Sequence, residues 1–138
     1  MKPSGYSRTP LAKKLGIKPG FKVRLFNKPD YYYDLFSDLP GDIIELTDKK
    51  SKKDFIHYFA KSTAQLNQDI KQLRQEIEEN GMIWVSWYKK SAKIETDLNE
   101  NIIRDIALNN GLVDVKVCAI DEIWSGLKLV IRLKDRKK

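Results

Sequence analysis

The chain is 138 residues long, 41% hydrophobic and 33% charged, with a net charge of +7. That length suits one domain with a real core, and that balance excludes a disordered or fibrous chain. No uncharged run approaches the ~20 residues of a membrane span. Residues 1–8 carry no apolar stretch of the signal-peptide kind, and the single cysteine, Cys118, leaves no internal disulfide. These features predict a cytoplasmic protein with no membrane partner, organised as one α/β domain over 1–138 whose first 20 residues form an arm and a short helix. Residues 1–60 hold 12 Lys/Arg against 7 Asp/Glu, and residues 61–138 hold 14 against 12. Such charge keeps a small protein soluble, and it leaves weak, salt-dependent nucleic-acid binding open.

In chain order, Thr9-Pro10-Leu11 opens a short helix that Gly16 ends, with Thr9 as its cap. Residues 21–26 alternate apolar and basic, as a strand does. Pro29 begins a second helix over 30–39, whose Tyr31, Tyr32, Tyr33, Leu35 and Phe36 pack on the sheet, and Pro40-Gly41 closes it. Residues 42–47 and 55–60 read as strands joined by a short basic link. Ser62 to Gln65 is a capping box, and Leu66, Ile70, Leu73 and Ile77 make one apolar stripe of a helix ending at Asn80-Gly81. Residues 82–87 form a central strand. Asp97 to Glu100 is a second capping box, starting a helix that ends near Asn110-Gly111. Strands over 113–120 and 127–133, joined by a short turn, predict an antiparallel pair.

Strands alternating with helices imply a Rossmann-like three-layer sandwich, mostly parallel, with a C-terminal antiparallel strand pair. One joint is short: residues 48–53 are few for a parallel crossover. Either that crossover is truncated or a strand there runs antiparallel.

Two stretches carry a resemblance. The run from Leu15 to Val23 (LGIKPGFKV) and the run from Gly81 to Trp87 (GMIWVSW) resemble the lead-in to the first strand and the fifth strand of class I methyltransferases, which use S-adenosylmethionine. The resemblance implies a truncated form of that fold. Where those enzymes place a Gly-rich loop after the first strand, this chain has Asn27-Lys28-Pro29-Asp30-Tyr31. A proline and three tyrosines do not allow the close backbone approach that glycine does, so no cofactor of the usual mode is expected. More of the chain resembles a family of short bacterial proteins known as a domain of unknown function. That likeness rests on Gly5-Tyr6-Ser7, on the run from Thr9 to Gly16, and on Trp84-Val85-Ser86-Trp87. It rests also on the runs Thr96 to Asn101, Val113 to Cys118, and Asp121 to Lys128. It implies a fold and brings no activity.

Open α/β sheets bind ligands at the carboxyl ends of their strands. The strand over 82–87 delivers Trp87, Lys89 and Lys90 to that edge, and the next helix starts at Thr96 or Asp97, with Asn101 a further candidate, a set suited to a phosphate, carboxylate or nucleotide. Asp121, Trp124, Ser125 and Lys128 lie around the last hairpin turn and could fold over the same edge. Gly5-Tyr6-Ser7 could lay an arm on a neighbouring surface. The lone His57 lies mid-strand between Ile56 and Tyr58, as a core histidine does, and no metal set or nucleophile elbow accompanies it. Cys118 reads as a small buried apolar residue.

These residues predict a non-catalytic binding or regulatory domain without catalytic residue, metal or cofactor. Its partner would be a small anionic ligand or a protein, with a homodimer open. The alternative is a divergent transferase with an unusual cofactor mode, and the third reading is a weak nonspecific nucleic-acid binder.

Overall fold

A computed structural model describes residues 9–136. The chain runs α1 (Leu11–Leu15), β1 (Lys22–Phe26), β2 (Ile44–Glu45), β3 (Lys53–Phe59), α2 (Thr63–Glu76), β4 (Ile77–Tyr88), α3 (Glu100–Leu108), β5 (Leu112–Ala119) and β6 (Trp124–Ile131), with 3₁₀ turns at Tyr32–Leu35, Lys90–Ala92 and Leu133–Asp135. The six strands form one sheet in the order β2-β1-β3-β4-β6-β5. The first four are parallel, and β6 runs antiparallel to both β4 and β5. This is the expected α/β sandwich with its antiparallel C-terminal pair.

Strand alternation splits the core into two layers. On one face Ile56, Tyr58, Ile83, Val85, Trp87, Leu127 and Leu129 pack against the apolar stripes of α2 (Leu66, Ile70, Leu73) and α3 (Ile103, Ile106). On the other face Val23, Phe55, Phe59, Met82, Trp84 and Trp124 meet α1 and Tyr32. Trp84 is wholly buried and its indole Nε1 donates to the Leu15 carbonyl at 2.9 Å, which ties α1 to the sheet.

Four local expectations are corrected. First, residues 30–39 do not form a helix; only the 3₁₀ turn Tyr32–Leu35 is present, because this segment's side chains are drawn to separate elements. Asp38 leaves the segment to accept from the amides of Ala12 and Lys13, both at 3.0 Å, and so takes the capping role assigned to Thr9. Second, the strand expected over 42–47 shrinks to Ile44–Glu45. Third, α2 stops at Glu76 and β4 starts at Ile77 with no loop between them, so Asn80-Gly81 lies inside the strand. Ile77 is held there by pairing with Lys53, and Gly81 is needed because a Cβ would come within 3.0 Å of the Lys53 carbonyl oxygen. Fourth, Asn99 rather than Asp97 caps α3, accepting from the Ile102 amide at 2.9 Å. The box at Ser62 does cap α2, accepting from the Gln65 amide at 3.1 Å.

The short joint is a truncated crossover. Residues 46–52 pass from β2 to β3 with no helix, while β1 sits between the two strands and all three stay parallel. No helix among the described residues is long and apolar enough to cross a membrane. The Gly5-Tyr6-Ser7 arm lies outside the described residues.

Candidate functional site at the carboxyl edge

The strand order reverses between β1 and β3, where an open α/β sheet has its ligand crevice. Here the chain closes that crevice itself. Asn27 leaves β1 in the left-handed conformation at φ 56, the geometry glycine usually supplies, and its Nδ2 donates to the Phe59 carbonyl at the end of β3, 3.3 Å away. The next residues lay three consecutive tyrosines on three different elements. Tyr32 is buried and its hydroxyl meets His57 Nδ1 at 2.9 Å. The Tyr33 hydroxyl donates to the Glu45 carboxylate at the end of β2. Tyr31 faces the Asp121 carboxylate and Trp124. Burial and then Glu45 push the Tyr33 phenol up to about 12, and burial and then Asp121 raise that of Tyr31. Trp124 completes the cover, edge-on to Phe59 at 4.9 Å and stacked on Tyr88 at 4.2 Å.

A cleft remains open one strand further along, on the α2–α3 side. It has a volume of about 640 Å³ and is lined by the end of β4 (Trp87, Tyr88), by Lys89 and Lys90, and by the loop from Ile94 into the first residue of α3, Glu100. The loop is folded back on the start of α2. Asp97 Oδ1 accepts from the Thr63 amide at 2.8 Å, and Thr96 Oγ1 accepts from the Leu98 amide at 3.2 Å. The Lys89 amide donates to the Ile123 carbonyl at 2.8 Å, which anchors the other wall. Trp87 is 8% exposed and Ile94 is 43% exposed, so the cleft has an apolar floor edge and an apolar lip.

Of the residues singled out from the sequence, Trp87, Lys89, Lys90 and Asp97 line this cleft, and Asn101 lines a hollow beside it with Lys90, Asn99 and Glu100. The other four lie elsewhere. Asp121 is nearly buried and its Oδ1 accepts from the amides of Ile123 and Trp124, both at 2.8 Å, as a turn residue does. Trp124 belongs to the α1-side core. Ser125 is the cross-strand neighbour of Trp87. Lys128 stands mid-strand opposite Trp84 and Lys116, well below the edge; burial, then Lys116 and Lys18, push its ammonium down. A hairpin of this register carries successive β6 residues away from the edge, so only its first residues could have reached it. Glu45 was missed. Its signal was available: an acidic residue closing the strand that follows the first, 19 positions after Phe26, is where such folds hold a ribose hydroxyl. His57 is the core histidine expected, and Cys118 is half-buried rather than buried.

The sheet order, the parallel first half and the antiparallel end match known enzymes. A protein assigned as a type 11 methyltransferase from Sulfolobus solfataricus superposes with a TM-score of 0.65 at 14% identity, over 93% of this chain and 93% of that one. The fold is that of the class I methyltransferases. The ribosomal protein L11 methylase of Lactobacillus delbrueckii subsp. bulgaricus gives 0.57 at 13% identity over 87% of this chain and 74% of its own. Magnesium protoporphyrin IX methyltransferase of Synechocystis PCC 6803, with bound SAH, gives 0.59 at 12% over 88% and 78%. No family model matches the chain, and no curated protein does.

This finding corrects the non-catalytic reading. The methyltransferase scaffold is shared along nearly the whole chain, and its structural neighbours are catalysts, some holding SAM or SAH. The transferase alternative accounts for that better. The switch-point crevice itself does not fit the cofactor of those enzymes in the mode a glycine-rich loop provides. Asn27 bridges the strand ends there, and the amides of Tyr32, Asp34 and Phe36 are spent inside the 3₁₀ turn, on Pro29, Tyr31 and Tyr33 carbonyls.

Proposed function

We propose that the chain is a divergent transferase of the methyltransferase fold, whose cofactor mode differs from that of its structural neighbours. The observation that carries the reading is the open cleft of about 640 Å³ at the carboxyl end of the parallel strand β4. Its residues can bind and orient a ligand. Lys89 and Lys90 supply positive charge, and Trp87 and Ile94 supply apolar surface. The motifs from Thr9 to Gly16 and from Asp121 to Lys128 support membership of the short bacterial family they resemble, and the lone Cys118 suits a reducing cytoplasm.

The test is transfer of label from methyl-labelled S-adenosylmethionine into a small-molecule extract. Label that moves with the native chain, and is lost both on boiling and in a Trp87→Ala, Lys90→Ala variant, supports the reading. If no label moves and S-adenosylmethionine at millimolar concentration neither binds nor raises the melting temperature, the reading is wrong.

A further inference from the structure

The crevice and the cleft differ in what they offer. At the crevice the polar groups described are already used: Asn27 on Phe59, Tyr32 on His57, Tyr33 on Glu45, and the amides of Tyr32, Asp34 and Phe36 on the carbonyls of Pro29, Tyr31 and Tyr33. Opening it would separate the three hydrogen bonds that Asn27, Tyr32 and Tyr33 make to the sheet and the Tyr32 ring contacts with His57 and Phe59, at 5.4 and 5.7 Å. At the cleft the lining is mixed in sign. Lys89 and Lys90 line it together with Glu95, Asp97 and Glu100, and with Trp87 and Ile94; Asp97 is engaged by the Thr63 amide and Glu100 by Arg104, which leaves Glu95 as the carboxylate to receive a cation. A ligand of one sign would be repelled by half of that lining, while one carrying a cation and a carboxylate pairs with both. An indole edge and an exposed isoleucine add a place for a flat or apolar body, and an indole also receives a cation.

We infer that the tyrosine strap over 27–36 is the fixed occupant of the switch-point crevice, and that the ligand is received instead in the neighbouring cleft, as a zwitterion of the α-amino-acid type. The transferase reading enters only in choosing a nucleoside-bearing amino acid as first probe. The carboxylate is held by Lys89 and Lys90, the cation by Glu95, and the strap takes no part.

Amide NMR on the full chain decides it, with S-adenosylhomocysteine, methylthioadenosine (the same nucleoside without the amino-acid portion) and methionine as probes. S-Adenosylhomocysteine is expected to shift amides over 89–100 and leave those over 27–36 in place, and methylthioadenosine to bind about tenfold more weakly. A Lys89→Gln, Lys90→Gln variant should weaken S-adenosylhomocysteine by about tenfold, and Glu45→Gln should leave it unchanged. Shifts over 27–36, loss of binding in Glu45→Gln, or equal binding of methylthioadenosine would overturn the inference. If methionine alone binds the cleft, the inference stands and the S-adenosylmethionine-based reading falls. If no probe shifts any cleft amide, the zwitterion site is overturned. The strap is judged separately by hydrogen exchange: protected amides at Tyr32, Asp34 and Phe36 support it, and exchange at the rate of an open loop defeats it.

Discussion

His57 lies between two hydroxyls and no charge: Tyr32 Oη at 2.9 Å from Nδ1 and Ser86 Oγ at 2.8 Å from Nε2, with Phe59 stacked on the ring at 4.2 Å. Burial lowers its pKa to about 3, whereas the unfolded chain titrates near the ordinary value of 6.5. Between those limits the unfolded state binds the proton and the folded state does not, so stability rises with pH across that window and is flat above it. Each pH unit well inside the window is worth at most about 1.4 kcal/mol. The urea midpoint should therefore fall between pH 6.5 and pH 4, and that part of the slope should vanish in His57→Gln, whatever that variant does to stability at pH 7. Gly111 gives a second residue-scale outcome. It sits at φ 78, and an added Cβ would come within 2.9 Å of Arg74 Nε, at the start of β5. Gly111→Ala should cost about 1–2 kcal/mol, since left-handed strain and crowding add, and chemical denaturation measures it.

Elements are pinned to one another by the cluster at the end of α2. Glu76 is fully buried and its Oε1 accepts from Lys53 Nζ at 2.9 Å and Arg24 Nη1 at 2.6 Å, while Gln72 reaches Oε2 at 3.1 Å. Burial alone would raise this carboxyl; the hydrogen bonds from Lys53, Arg24 and Gln72 outweigh it and hold it below the usual range. The cluster joins α2, β3 and β1. Lys53→Met alone should cost about 3 kcal/mol, because it strips a partner from a buried carboxylate, and Lys53→Met with Glu76→Leu should cost less than the two single changes summed. A double-mutant cycle by urea unfolding reads the difference. This element scale is also where the sequence was least legible. The apolar stripes of α2 and α3 and the cap at Ser62 could be read directly, since they are local; the end of α2 at Glu76 and the Asn99 cap of α3 could not. The segment over 30–39 could not, because Tyr31, Tyr32 and Tyr33 are decided by Asp121, His57 and Glu45, all distant along the chain. The same holds for α1, whose capping carboxylate, Asp38, comes from 26 residues away.

For the molecule as a whole, one sheet serves two core layers, with buried residues of β3 and β4 alternating between them. Neither layer can be lost without exposing the other's backing. Urea unfolding followed by tryptophan fluorescence, to which Trp84 and Trp124 contribute from the α1 side and Trp87 from the α2–α3 side, should coincide with that followed by far-ultraviolet circular dichroism. Two separated transitions would mean that the α1 layer melts alone. At this scale the sequence was most legible: alternation of strand and helix gave the sandwich, and the carboxyl-edge rule led to Trp87, Lys89, Lys90 and Asp97. It did not lead to which end of the hairpin faces that edge, a matter of pairing register that Asp121 to Lys128 does not reveal.

The junction at Glu76 and Ile77, where helix passes into strand without a loop, has a consequence for how this chain can vary. A residue gained or lost on the helix side turns the stripe of α2 by about 100° relative to Glu76. One gained or lost between Met82 and Trp84, where β4 pairs regularly with β3, exchanges the faces of β4, sending Trp84 to where Val85 belongs. Most connections between elements absorb such length changes harmlessly; here the slack is confined to the bulge at 78–81, between the pairs Lys53–Ile77 and Phe55–Met82. The spacing from Leu66 to Glu76 therefore behaves as a fixed ruler, and variation in chain length should gather in 46–52, in the bulge at 78–81 and in the loop that walls the cleft.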